Sequence, residues 1–137
     1  RKMKRAIFAA LALTSLLFGP RAADAAELLM IEEHGCFWCA QWNEEIGAIY
    51  DLTDEGRKAP LRRVDIADPM PADVTLKMRA NFTPTFVLVH EGREVGRIEG
   101  YPGPDFFWPL LNRLLDRLPA APEGQAMETE AAAPRIV

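Results

Sequence analysis

Apolar and polar positions change period several times along this chain of 137 residues, and each change marks an element. The run AELLMIEE (26–33) is apolar and bounded by charge, which predicts a first strand. From Cys36 onward, Cys39, Trp42 or Asn43, Ile46 and Ile49 recur at helical spacing with Gln41, Glu44 and Glu45 between them, predicting a helix over Cys36–Tyr50 with Gly47 as its weak point. Gly56 in LTDEGRKAP marks a loop, and LRRVDI (61–66) reads as a second strand closed by ADPMP. DVTLKMR predicts a short helix over Asp73–Arg79 with Asp73 as its cap. A third strand follows over Thr85–His90, reached through Thr83-Pro84. EGRE then turns into a fourth strand, VGRIEG, in which Val95 and Ile98 fall on opposite faces, so a bulge is expected near Gly96. The last helix has Phe107, Leu110 or Leu111, Leu114 and Leu118 as its apolar stripe. Pro109 belongs in a first turn, which predicts a start near Phe107. The order is βαβαββα, an α/β domain with a four-stranded mixed sheet flanked by helices: the βαβ unit gives a parallel pair and VHEGREV an antiparallel hairpin.

The two ends have a different composition. RKMKR followed by the uncharged AIFAALALTSLLFG and the small-residue stretch RAADAA reads as a secretory signal peptide over 1–25, cleaved after Ala25. An uncleaved anchor is the alternative, although the apolar run falls short of the ~20 residues a bilayer needs. From Pro119 the chain is rich in Ala, Glu and Pro, so 119–137 is expected to be a disordered tail after a domain spanning 26–118. Removing the leader takes away five basic residues and one acid, leaving 11 basic against 19 acidic and a net charge of −8. A chain so acidic, with no Lys/Arg cluster outside the leader, excludes nucleic acid as a natural partner. An exported protein lives where disulfides persist, so the two cysteines are read as a pair.

Cys36-Phe37-Trp38-Cys39 sits between the first strand and the first helix, at the sheet end where reaction sites of open α/β folds gather. Residues i and i+3 share a helix face, so the two sulfurs can meet. The first cysteine lies near the surface at the helix end, with the second tucked under it. Free backbone N–H groups of the opening turn favour a thiolate at Cys36. Free cysteine is only about 3% thiolate at pH 7, and Cys-x-x-Cys sites raise the reactive fraction roughly tenfold or more. Cys36 is thus the expected nucleophile and Cys39 the thiol that resolves the mixed disulfide. A structural staple is the poorer reading, because a four-residue loop gives roughly 2 kcal/mol against about 4.7 for a hundred-residue one. A metal site is poorer still: four ligands would need His34 and His90 as well, so no metal is assigned, and a Cu(I) chaperone using the two thiolates is kept as a rival. Phe37 reads as an exposed partner contact, Trp38 as either that or core, and Trp42 as core.

These features together resemble the thioredoxin superfamily: Cys-x-x-Cys after a strand, an aromatic on the helix it opens, and Thr-Pro-Thr before a ββα close. The resemblance covers Glu27 to Leu118. It implies a cis peptide at Thr83-Pro84 beside the cysteines and a substrate platform at Thr83 and Pro84, with Phe37 and Trp38 as further contacts. More narrowly, CFWCAQW, APLRRVDI, TPTFVLV and EGREVGRIEGYPGPDFFWPLL resemble the small exported thioredoxins of bacterial sulfur-oxidation (Sox) clusters, the SoxS type. That resemblance implies a monomeric periplasmic reductase with no cofactor beyond its redox-active disulfide. Its partners would be a protein bearing a reactive cysteine or disulfide and a membrane thiol carrier that supplies electrons. A DsbA-like oxidant is the rival direction, because the dipeptide between the cysteines tunes the potential widely. Two departures stand out. Met30 occupies the place of the family's buried acid, and no proline precedes Cys39; the proton acceptor for Cys39 is left between water and Glu33.

Overall fold

A computed structural model describes residues 26–120. The predicted leader (1–25) and all but the first two residues of the predicted tail (119–137) lie outside the described residues. Strand β1 (Ala26–Glu32) leads into helix α1 (Phe37–Trp42), which passes without a break through a π-helical stretch, Asn43–Gly47, into α2 (Ala48–Tyr50). Helix α3 (Asp54–Lys58), β2 (Leu61–Asp65), β3 (Thr85–His90), β4 (Arg93–Glu99) and α4 (Pro104–Leu115) complete the order. The strands lie β2-β1-β3-β4, with β1 parallel to β2 and antiparallel to β3, and β3 antiparallel to β4. This is the mixed four-stranded sheet flanked by helices that the pattern predicts.

The central strands β1 and β3 are apolar at almost every position because both faces of the sheet are covered. Leu28, Met30, Phe86 and Leu88 join Trp42, Ile46, Tyr50, Phe107 and Leu111 in a core under α1 and α4. Leu29, Ile31, Val87 and Val89 point the other way, against Val74 and Ala80. Leu88 faces Gly96 while Val89 faces Glu94, so Val95 is the extra residue of a bulge, one position from the expected Gly96.

Three local expectations need correction. No helix forms over Asp73–Arg79. The segment is extended instead: Thr75 bridges Arg93, its N–H donates to the Gly92 carbonyl (2.7 Å), and its carbonyl accepts from Glu94 N–H (3.1 Å). Period-2 placement sends Val74 and Leu76 onto the second face of the sheet, and that burial outweighs helix propensity. Asp73 caps nothing; its carboxylate takes both terminal nitrogens of Arg62 at 2.8 and 3.0 Å. The second correction is at LTDEGRKAP, which holds a short helix rather than a plain loop. Thr53 caps it by accepting from Gly56 N–H at 3.0 Å, with Asp54 and Glu55 in the first turn and Arg57 and Lys58 in the last. Gly56 is there because a Cβ would collide with the Tyr50 carbonyl, not because the chain turns. The third is that α4 starts at Pro104, three residues before the predicted start, and Pro109 sits inside it. Pro109 lies on the solvent side of the helix, where its ring is exposed.

Candidate active site

Strand β1 delivers the chain to Glu33, and Gly35 turns it at a φ of 78° that favours glycine. Cys36 then stands as the N-cap of α1 in extended conformation. Its Sγ accepts the Cys39 N–H at 3.1 Å, so the cysteine fills the place a capping serine usually takes. Cys36 and Cys39 are joined as a disulfide with Cα atoms 5.3 Å apart. Cys36 is half-buried and Cys39 buried beneath it, in the core that also holds Met30 and Trp42. An incoming sulfur therefore meets Cys36 first.

The peptide Thr83-Pro84 is cis. The turn that carries it is pinned at both ends: Gly100 N–H donates to the Pro84 carbonyl at 2.8 Å and the Thr85 hydroxyl donates to the Phe82 carbonyl at 2.7 Å. The Thr83 hydroxyl donates to Glu33 Oε1 at 2.6 Å, a bond between positions 50 apart that brings the 83–84 turn against the loop leading to Cys36. Glu33, which the sequence offers as a proton acceptor for Cys39, is thus engaged with Thr83. Phe37 and Trp38 are 68% and 54% exposed and meet edge to face with centroids 5.1 Å apart. Neither packs in the core, which settles Trp38 as a surface residue. Trp42 is fully buried, against Phe86, Tyr50 and Phe107.

The π-helical stretch has a local cause. A Cβ at Gly47 would press on the Trp42 ring at 3.2 Å and on Asn43 Oδ1 at 3.4 Å, so a residue with no side chain lets the widened turn close around both. Asn43 Oδ1 accepts from Arg63 Nη2 at 2.6 Å, and Arg63 Nη1 reaches Glu32 Oε2 at 2.8 Å and Met30 Sδ at 3.6 Å. The Arg63 guanidinium lies 5.9 Å from the Trp42 ring centroid. Sequence reasoning missed this arginine. The signal that finds it is strand register, which sets Met30 opposite Arg63.

Tyr101 is buried, and its hydroxyl donates to Glu45 Oε2 at 2.5 Å. That bond, with a second from Gln41, holds the Glu45 carboxyl below its usual range, while burial and the same carboxylate push the Tyr101 phenol up. One of the Glu45 oxygens thus ties the helix after the cysteines to the loop after β4.

A recess of about 590 Å³ opens beside the disulfide, lined by both cysteines, Glu32, Glu33, His34 and Asp65 among others. A hollow of about 620 Å³ lies on the other sheet face, against Ile31, Ile66, Met70 and Val74, away from the cysteines. His90 closes β3 at the end away from Thr85 and pairs across the hairpin with Arg93. Among the described residues no three His, Cys, Asp or Glu side chains are grouped to hold a metal ion, and no helix is long and apolar enough to cross a membrane.

The family of thioredoxin-like domains matches residues 21–115 of this chain. Among solved structures, the chain is similar to the periplasmic thioredoxin SoxS of Paracoccus pantotrophus in its reduced form: 52% identity, TM-score 0.66, covering 67% of this chain and 97% of that one. It also matches the thioredoxin Mala s 13 of Malassezia sympodialis at 16% identity and TM-score 0.47, covering 67% of this chain and 76% of that one. No curated protein matches the sequence.

Proposed function

We propose that this chain, which belongs to the thioredoxin-like family of thiol:disulfide oxidoreductases, reduces disulfides of partner proteins in the periplasm. The observation that carries the reading is the placing of the pair: an accessible Cys36 whose sulfur takes a helix-start N–H, over a buried Cys39. In the reduced protein the Cys36 thiolate attacks one sulfur of a partner disulfide, forming a mixed disulfide and releasing the partner's other sulfur as thiolate. Cys39 then gives up its proton and attacks Cys36 Sγ. The Cys36–Cys39 bond forms, the second partner thiol leaves, and two electrons have passed to the partner. Oxidised protein needs two electrons to start again, and the assigned donor is a membrane thiol carrier. The disulfide is the whole redox group, and the protein works as a monomer.

Thr83 and Pro84 form the platform on which an extended partner segment lies, with Phe37 and Trp38 as apolar contacts. What supports this is proximity: the Thr83 hydroxyl is bonded to the residue three before Cys36. The periplasmic setting and a Sox-type partner rest on the 52% identity to a periplasmic SoxS.

The direction of electron flow rests on charge. Glu33 and Asp65 face the recess with the cysteines. Negative charge beside a sulfur disfavours its thiolate and so removes the stabilisation that a thiolate gives the reduced form, whereas a strong oxidant is one whose reduced form is stabilised. A pair so placed tends to give electrons. The test is the potential of the pair against glutathione, with Cys39→Ala used to trap partners from periplasm. A value near about −270 mV is expected, and one near about −120 mV would replace the reductase with a DsbA-like oxidant. Tight stoichiometric Cu(I) binding without exchange activity would favour the copper chaperone.

A further inference from the structure

The recess beside the disulfide carries more negative charge than its hydrogen bonds compensate. Three carboxylates line it: Glu32, Glu33 and Asp65. Glu32 is neutralised by Arg63, whose guanidinium is 2.8 Å away. Among the described residues the other two accept from uncharged donors, Glu33 from the Thr83 hydroxyl at 2.6 Å and Asp65 from the Ala67 backbone N–H at 2.8 Å. Among the described residues neither forms a salt bridge and no Lys or Arg side chain lines the recess. Two full negative charges therefore face the space through which a partner reaches Cys36. Phe37 also lines the recess, and its exposed ring and that of Trp38 stand on the opening turn of α1.

We propose that this surface selects its partners by charge: it takes an extended polypeptide segment whose reactive cysteine is flanked by Lys or Arg, and it turns away acidic segments and small anionic disulfides such as oxidised glutathione. The inference deepens the reductase reading and rests on it, because a charge filter matters only if a sulfur must dock on Cys36. Charge complementarity acts mostly on the rate of encounter, where steering changes association tenfold or more at low ionic strength. Salt removes it, since the Debye length falls to about 3 Å at 1 M.

The experiment uses the reduced full chain and two peptide disulfides identical except for the two residues flanking each cysteine, Lys in one and Glu in the other. Mixed-disulfide formation is followed by stopped-flow at about 20 mM and 1 M salt. Glu33→Gln, Asp65→Asn and the double variant keep the acceptor oxygens while removing charge. The Lys peptide should react about tenfold faster than the Glu peptide at low salt. The ratio should fall to within about twofold at 1 M salt, and likewise in the double variant. Equal rates for the two peptides at low salt would overturn the selection and leave the exchange chemistry standing. So would a preference for Lys that persists in the double variant. Failure of the unsubstituted protein to reduce either peptide would overturn the exchange chemistry and the selection together.

Discussion

Phe107→Ala tests how the two halves of the site are braced. Phe107 is fully buried, with Phe86 at 5.0 Å, Trp108 at 5.5 Å, Trp42 at 5.8 Å and Tyr101 at 6.1 Å between ring centroids. Trp42 is three residues past Cys39 and Phe86 two past Pro84, so one ring props both the cysteine helix and the strand behind the cis peptide. Removing a buried phenylalanine costs about 3–5 kcal/mol in lost transfer energy and residual cavity. Its edge-on partners place the loss in the upper half of that range, since such pairs add about 0.5–1.5 kcal/mol beyond burial. A domain of this size holds roughly 5–14 kcal/mol in all, so the variant should lose about a third of its stability or more. Urea denaturation of the oxidised protein reads this directly: at a slope on the order of 1.5 kcal/mol/M the midpoint should drop by about 3 M. Phe106, the preceding residue, is 66% exposed, and Phe106→Ala should change stability by no more than about 0.5 kcal/mol. The bracing argument is refuted if Phe107→Ala costs less than about 1.5 kcal/mol, or if Phe106→Ala costs as much.

Two further outcomes follow from named contacts. Burial pushes the Glu94 carboxyl up, but bonds from Arg97 and the Lys77 N–H outweigh it and hold the group below its usual range. Its stabilising effect is therefore present above the ordinary carboxylate pKa and is lost as pH falls through the lower folded value; urea midpoints measured down from pH 5 should fall, and less steeply in Glu94→Gln. Replacing both Phe37 and Trp38 with alanine should leave the urea midpoint within about 0.5 kcal/mol, because both are exposed, while slowing mixed-disulfide formation with protein partners about fivefold or more. Unchanged exchange rates would remove both rings from the partner surface.

What was legible from sequence follows the physics of each signal. Strands β1 and β3 are long apolar runs with charge or turn residues at their ends, so their limits are nearly those expected. The cysteine turn is equally plain, since two residues of one type at i and i+3 fix both helix start and pairing. The stretch 73–79 fails because its helical propensity is local while the face it covers is assembled from β1, β2 and β3. Gly56 misleads because a glycine kept for a close backbone approach looks the same in sequence as one kept for a turn. Arg63, the Glu33–Thr83 bond and the Tyr101–Glu45 bond each join residues 20 to 56 positions apart, and only the assembled sheet brings them together.

Met30 shows how the fold handles charge beneath the cysteines. Family resemblance expects a buried acid there, yet Met30 is wholly buried in the core with Cys39. The nearest carboxylate on the same face of β1 is two residues further, at Glu32, where the strand ends and the side chain is partly open to water. A carboxylate enclosed at position 30 would cost several kcal/mol unless paired inside the core. At position 32 water and Arg63 share the charge, and Arg63 keeps one nitrogen on Asn43 and touches the Met30 sulfur. Charge is thereby moved from under the buried thiol to the wall of the recess, where Glu33 and Asp65 already lie. The core below Cys39 stays apolar and well packed, and the electrostatic character of the site is set by residues that solvent and a docking partner both reach. Substitutions at 33 and 65 should therefore change exchange kinetics far more than stability, while substitutions at 30 or 42 should do the reverse.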